Sequence, residues 1–354
     1  MSNDFRLTCP VPLDHRGTVQ MAHGGGGRMM QRLIEGMFLP VFGRGRSAAE
    51  AKRPPHDSAV FKLDGARLAM TTDSYTVTPL FFPGGDIGKL AVYGTVNDLA
   101  MAGARPVYLS AGFILEEGLP METLCRLVES MQEAAELAGV RIITGDTKVV
   151  DRGKGDGIYI NTAGVGVVPP GVDVSPARVV PGDAILLSGD LGRHGIAVMS
   201  VREGLRFEGA PQSDCAPLAS LVQSLVEDGG EVHCLRDLTR GGLAAALNEI
   251  AASAGVGIEI DEPSVPVTAA VAGACELLGL DPLYVANEGR LIAFVPAEAA
   301  ESMLERMRSH AAAAEPAIIG RVIDAHPGMV ELRGALGGGR IVDLLSGEQM
   351  PRIC

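Results

Sequence analysis

The sequence predicts a two-domain chain of mixed α and β structure. Three observations predict it. The chain has 354 residues, where a common single domain has about 100–150. Hydrophobic residues make up 47% and charged residues 21%, a globular composition with apolar material enough for real cores. Strand-like runs alternate with long helical ones, which means an α/β or α+β fold whose strand order the pattern does not fix.

Taken in order, residues 1–56 form a polar, glycine-rich N-terminal segment with one amphipathic helix at "GRMMQRLIEGMFLPVF". There Met30, Leu33, Ile34, Met37 and Phe38 recur at helical spacing. A first domain is expected over 57–170. It opens with a β-hairpin, "AVFKLDGARLAMTTDSY", whose turn is Asp64-Gly65. A helix ("DIGKLAVYGTVNDLAMAG"), a strand ("PVYLSAGFIL"), a helix ("METLCRLVESMQEAAELAG") and a strand ("RIITGDTKVV") follow, and "GIYINTAGVGVVP" closes the half. The turn Pro181-Gly182-Asp183 sits at the start of a second domain, 171–328, which "AILLSG" opens as a strand. Helices are expected near "GIAVMSVREG", "PLASLVQSLVEDGG", "GGLAAALNEIAASAG" and "VAGACELLG", and strands near "VGIEIDE", "RLIAFVP" and "EPAIIGRVIDA". Residues 329–354 read as a glycine-rich mobile tail that ends in "PRIC". No solenoid repeat is visible.

Composition removes several functions. A net charge of −13 repels phosphate backbones, and 4% aromatics with no Trp leaves no stacking platform, so no nucleic acid is expected as partner. No apolar run approaches the ~18 residues that span a bilayer, and no charged n-region precedes an apolar stretch, so no membrane contact and a cytoplasmic location are expected. Six spread cysteines, Cys9, Cys125, Cys215, Cys234, Cys275 and Cys354, contain no C-x-x-C pair, so neither a zinc site nor a disulfide framework is indicated. A surface thiol at Cys354 is a liability unless it is used.

The candidate chemistry lies in scattered motifs. Neither G-x-x-x-x-G-K-[ST] nor G-x-G-x-x-G occurs, so any nucleotide binds by another device. "HGGGGR", His23, Gly24, Gly25, Gly26, Gly27 and Arg28, exposes backbone N–H groups before a helix, a place for phosphate oxygens or a plain linker. Asp73, Asp86, Asp98, Asp146 and Asp237 sit at ends of apolar segments. There carboxylates can converge on a magnesium–phosphate centre or simply cap helices and turns. Lys148, after Asp146, can act as a base, a phosphate ligand or one half of an ion pair. Glu288 in "ANEGRL" precedes a strand, where an acid can move a proton.

Together "HGGGGR", "FFPGGDIGKL", "TGDTKVV", "SGDLGRHGIAVMS", "LTRGGL", "ANEGRL" and "PRIC" resemble the HypE family of hydrogenase maturation factors, from about Val19 to Cys354. The family lies in the superfamily of aminoimidazole-ribonucleotide synthetase and selenophosphate synthetase. The resemblance implies an α+β, two-domain fold of that type and a homodimer whose N-terminal sheets form a barrel. It implies ATP-dependent dehydration of an S-carbamoyl group on Cys354 to S-cyanocysteine, with ATP and Mg2+ as cofactors. The implied partners are the carbamoyltransferase HypF and the HypC–HypD complex. By the same resemblance Cys354, Lys148 and Glu288 are catalytic, and Asp73, Asp98, Asp146 and Asp237 surround magnesium. Asp86, Lys89, Thr147 and the His23–Arg28 loop belong to the nucleotide pocket. The tail is expected to swing on the glycines at 337–339. Two rival readings stay open: a superfamily enzyme acting on a free small molecule, and a nucleotide-binding scaffold.

Overall fold

A computed structural model describes residues 18–42, 56–205, 209, 211–227, 231–345, 350 and 352–354. The expected N-terminal helix is broken. Helix α1 (Arg28–Leu33) passes through a π turn at Ile34–Phe38 into α2 (Leu39–Phe42), and none of these side chains is fully buried. Gly36 lies within the widened turn, where one i→i+5 step dislocates the apolar stripe.

The first sheet starts with the predicted hairpin, β1 (Ala59–Leu63) and β2 (Ala66–Tyr75). Asp64 and Gly65 both have positive φ, 48° and 84°, the two-residue turn that matches strand twist. The short ribbon of β3 (Phe81–Phe82) and β4 (Gly85–Asp86) leads into helix α3 (Ile87–Met101). Strand β5 (Arg105–Glu116), helix α4 (Met121–Leu137), β6 (Arg141–Val150) and β7 (Ile158–Val167) complete the domain. The sheet order is β1-β2-β7-β5-β6, with only β5 and β6 parallel, joined through α4.

Helix α3 is apolar over most of its surface and is buried almost entirely, including Ile87, Leu90, Ala91, Val92, Val96 and Leu99. Truncating Leu90 to Ala would cost about 2–5 kcal/mol, as for other large core side chains. Helix α4 instead shows one stripe inward, Leu127, Ser130, Met131, Ala134 and Ala135. Both helices cover one face of the sheet. The opposite face carries exposed Met70, Tyr108 and Ile114.

The second domain is built on a seven-stranded sheet of order β14-β13-β10-β12-β8-β11-β9. Its strands are β8 (Ala184–Leu187), β9 (Cys234–Asp237), β10 (Gly257–Asp261), β11 (Leu291–Val295), β12 (Ala317–Ile323), β13 (Val330–Arg333) and β14 (Gly339–Val342). Its helices are α5 (Arg193–Arg202), α6 (Ala219–Val226), α7 (Gly242–Ala254), α8 (Ala269–Leu278) and α9 (Ala300–Arg308). Ile185, Leu187, Ile258, Ile292 and Phe294 fill a core beneath α7. The α+β class agrees with the sequence reading. Strand β9 is absent from that reading: four residues ending in Arg-Asp carry no alternation a pattern can catch.

The tail corrects an expectation. The glycines at 337–339 are not a hinge but the turn of a hairpin between β13 and β14. Gly337 has φ 79°, and Gly334 N donates to Gly338 O at 2.9 Å. Val330, Leu332 and Val342 are buried in the second core, so 330–342 is sheet rather than arm. Residues 346–349 and 351 lie outside the described residues.

Candidate functional site

Three carboxylates converge where the domains meet. Asp57 precedes β1, Asp98 lies on the buried helix α3, and Asp237 ends β9, with one ligand oxygen from each within 4.8 Å of the others. The Thr71 hydroxyl donates to Asp98 Oδ2 at 2.8 Å, and Arg236 Nη1 pairs with Asp57 Oδ1 at 2.9 Å while also holding Glu249. Asp57 Oδ2 and Asp237 Oδ2 are buried with no hydrogen-bond partner among the described residues. Burial, then mutual repulsion, raises Asp98 well above the carboxylate range, with Asp237 the first of its repelling neighbours. Asp237 is raised the same way, with Arg236 opposing. Unpaired buried carboxylate oxygens facing each other are expensive, and the donor set fits a hard divalent cation.

Glu288 stands beside this cluster in a tightly fastened loop. Asp214 Oδ2 accepts from the main-chain N–H of Glu288 at 3.2 Å and of Gly289 at 3.0 Å. Asn287 Oδ1 accepts from Gly192 N at 2.7 Å, and Asn287 Nδ2 donates to Leu238 O and Val285 O. A Cβ at Gly289 would sit 2.0 Å from Asp214 O, so only glycine closes this loop. Glu288 Oε1 is buried without a partner among the described residues. Burial, then Asp237, Asp214 and Asp73, drives the Glu288 pKa well up, with Arg240 opposing. A carboxylate raised in this way is a stronger proton acceptor than an exposed one, which suits a general base.

Cys354 comes into the same place. Its main-chain oxygen accepts from Thr76 N at 3.2 Å, and its thiol is half-buried. Burial raises the thiol pKa. Charge on Glu288 and Asp73 and a thiol hydrogen bond to Glu288 add to the rise, and Arg240 opposes it. Arg240 Nη1 donates to Gly24 O at 3.0 Å, and Nη2 lies 3.8 Å from Asp73 Oδ1. One guanidinium thus ties the glycine loop, β2 and the thiol's surroundings together. The loop also packs on the second domain: Arg28 pairs with Asp343, and Arg28 N donates to Leu345 O at 3.1 Å.

The sheet register separates the remaining candidates. Asp73 pairs across β7 with Thr162, then Ala111 on β5, then Gly145 on β6. The next row is Ser74, Asn161, Gly112 and Asp146. Successive rows alternate faces, so Asp146 and Asp73 point to opposite sides of the sheet. Asp146 does not join the three-aspartate group. It pairs with Lys148 at 2.7 Å on the face away from the helices. Lys148 and Asp146 line a cavity of about 630 Å³ with Thr76, Tyr159, Asn161 and Arg352. Thr147, between them, is exposed on β6, and Lys89 is half-buried in the first turn of α3. Asp86 is spent on structure. Its side chain caps α3 through Gly88 N at 2.8 Å and Lys89 N at 3.0 Å, and Ser130 donates to its other oxygen at 2.6 Å.

Two site residues escaped the sequence reading. Asp57, in "PPHDSAV", shares the signal used for the others, an acid just before an apolar strand. Arg240 sits three residues after Asp237, before a Gly-Gly helix start, a spacing that places it near the same strand end.

Comparison with known proteins agrees with this architecture. Residues 55–168 match the N-terminal domain of AIR synthase related proteins, and residues 180–332 match the C-terminal domain. The carbamoyl dehydratase HypE of Azotobacter vinelandii is 55% identical over 338 residues, 96% of this chain and 98% of that protein. A crystal structure of hydrogenase maturation protein HypE in complex with ATP is 49% identical with a TM-score of 0.80, covering 95% of this chain and 100% of that one. A crystal structure of a HypE–HypF complex is 48% identical with a TM-score of 0.82, covering 88% and 99%.

Proposed function

The chain belongs to the HypE family of carbamoyl dehydratases, and from that premise we propose that it uses ATP to dehydrate an S-carbamoyl group on its own Cys354 to S-cyanocysteine, the cyanide source for nickel–iron hydrogenase. The observation that carries the reading is the seating of Cys354 against Glu288, Arg240 and Asp73, beside the three-aspartate cluster.

The chemistry follows from the groups present. An amide oxygen is a poor leaving group. Attack of the carbamoyl oxygen on the γ-phosphate of ATP forms an O-phosphate and releases ADP. Loss of both nitrogen protons and departure of inorganic phosphate leave the C≡N triple bond. Glu288, held by Asp214 and raised in pKa, takes a proton from nitrogen. Arg240 faces the charge that develops on the carbamoyl oxygen. Asp57, Asp98 and Asp237 would hold Mg2+, which would supply charge neutralisation at the phosphates. Lys148 serves the second proton, which requires that it leave Asp146. The His23–Arg28 loop, drawn onto Arg240, closes the nucleotide side.

HypF is the carbamoyl donor and the HypC–HypD complex the cyanide acceptor. The exposed Met70, Tyr108 and Ile114 support pairing of two such sheets in a homodimer.

Intact-mass spectrometry tests the reading. The protein is mixed with HypF, carbamoyl phosphate and Mg–ATP, and the modified peptide is mapped. A carbamoyl adduct on Cys354 that loses one water in an ATP-dependent step is the expected result. An unmodified Cys354 beside an active HypF overturns it and favours a free small-molecule substrate.

A further inference from the structure

The last three residues are held by their main chain. Arg352 O accepts from Arg202 Nη2 at 2.6 Å and from Thr78 N at 3.4 Å. Ile353 O accepts from His194 Nε2 at 2.8 Å. Cys354 O accepts from Thr76 N at 3.2 Å, with the Thr76 hydroxyl at 3.5 Å. Three consecutive oxygens are therefore each met by a donor from the body of the protein.

The donors are themselves fixed. Arg202, at the end of α5, also donates to Thr78 O through Nε at 2.9 Å and Nη2 at 2.6 Å, so one guanidinium bridges the body and the tail. His194 is fully buried, edge-on to Phe82 with ring centroids 5.3 Å apart. Since a carbonyl only accepts, Nε2 carries the proton, and Nδ1 accepts from the Ser213 hydroxyl at 2.9 Å. Ser213 Oγ in turn accepts from Cys215 N at 3.1 Å, which completes a neutral, fully used imidazole. Ile353 and Met350 drop into the core beside this pair. Arg352 Nε reaches back to Thr76 O at 3.1 Å, and its guanidinium pairs with Asp156.

We propose that His194, Arg202 and Thr76 form a clamp that positions the Cys354 sulfur by gripping the main-chain oxygens of residues 352–354. These are positioning residues, acting on the reaction through the cysteine they place. None of the clamp's bonds involves the thiol. The clamp therefore seats the arm whether the sulfur is free, carbamoylated or cyanated, and the loaded group is left to Glu288 and Arg240. The consequence for dehydration rests on the carrier reading above; the grip itself does not.

The test measures the grip without turnover. Iodoacetamide alkylates Cys354 in proportion to the time the arm is released. Peptide mass spectrometry follows it against the exposed Cys125 as an internal reference. Arg202→Met removes a charged donor from a partly exposed position and is expected to speed Cys354 alkylation about tenfold, the scale of losing one such bond. His194→Ala does the same. His194→Gln, whose amide N–H can still meet Ile353 O, restores part of the protection. If the buried histidine variants do not fold, Arg202→Met alone decides. Wild-type alkylation rates in folded Arg202→Met overturn the clamp. With HypF present, the variants should load carbamoyl at least as fast as wild type but dehydrate more slowly. Equal loss of both half-reactions would also overturn it. If Cys354 is never carbamoylated even in wild type, the carrier reading fails while the alkylation result still judges the clamp.

Discussion

The two faces of the five-stranded sheet carry similar side chains and opposite physics. On the helix-covered face Asp73 joins Asp98, Asp237 and Glu288, and the latter three are pushed up in pKa by burial and by one another. On the open face Asp146 meets Lys148 in water, with side chains 71% and 70% exposed, and its pKa is lowered, chiefly by the lysine. Asp73 and Asp146 sit one register row apart on opposite faces, and the acids raised in pKa come to the face of Asp73 from α3 and from the second domain. An acid's chemistry here is set by what desolvates it, and the same residue type in a similar sequence setting predicts neither.

The largest way to break that comparison is at the buried proton acceptor. Glu288→Gln keeps the shape of the loop and removes the base. Dehydration of the carbamoylated protein should fall about 10²–10⁴-fold, the usual range for a general base, with carbamoyl loading unchanged. Single-turnover mass spectrometry separates the two steps, and a loss confined to loading would contradict the assignment.

A second prediction concerns the cluster without metal. Asp98 and Asp237 have folded pKa values above their unfolded ones, so the folded state binds more protons. Their relief is complete below the unfolded carboxylate range and is lost as pH rises through the folded values. In metal-free solution the cluster therefore costs stability at neutral pH. Asp237→Asn should raise the thermal midpoint of the metal-free protein by a few degrees while abolishing the upward shift that Mg2+ gives the wild type. Scanning calorimetry with chelator and with Mg2+ reads both. A midpoint that falls in chelator would show that the carboxylate is paired rather than strained.

A third concerns the counter-charge beside the cluster, on β9. Arg236 neutralises Asp57 and Glu249. Arg236→Met should lower the thermal midpoint in chelator, because a buried acid is left without its counter-charge, and Mg2+ should restore more of the midpoint than it does in the wild type. An unchanged midpoint in chelator would remove Arg236 from the site.

The smallest effect belongs to the open face. Lys148→Gln should leave the melting temperature where it is, since an exposed ion pair contributes little. Its effect should fall on dehydration alone. A marked loss of stability would mean that the lysine is not exposed in solution.

Much of the fold is legible in the sequence. The Asp64-Gly65 turn, the α3 and α4 helices and the strands β5, β6 and β7 follow from turn chemistry and periodicity, both local properties. Of the site, Asp98, Asp237, Glu288 and Cys354 do converge, and Asp57 and Arg240 join them unannounced. Asp86 illustrates the ordinary alternative, an acid spent on capping. The glycines at 337–339 illustrate another, since a run of glycine suits a hairpin turn as well as a hinge, and only pairing with β13 chose between them.

The sequence by itself determined the local elements, the acidic inventory and the family, because turns, caps and periodicity are written within a few residues of one another. Tertiary structure decided which acids meet, which face Asp146 and Lys148 take, and that the arm's last three carbonyls find His194, Arg202 and Thr76. The reason is physical. Strand register and domain docking depend on contacts between residues far apart in sequence, and the alternation that sends the row of Asp73 inward sends the next row, with Asp146, out into water.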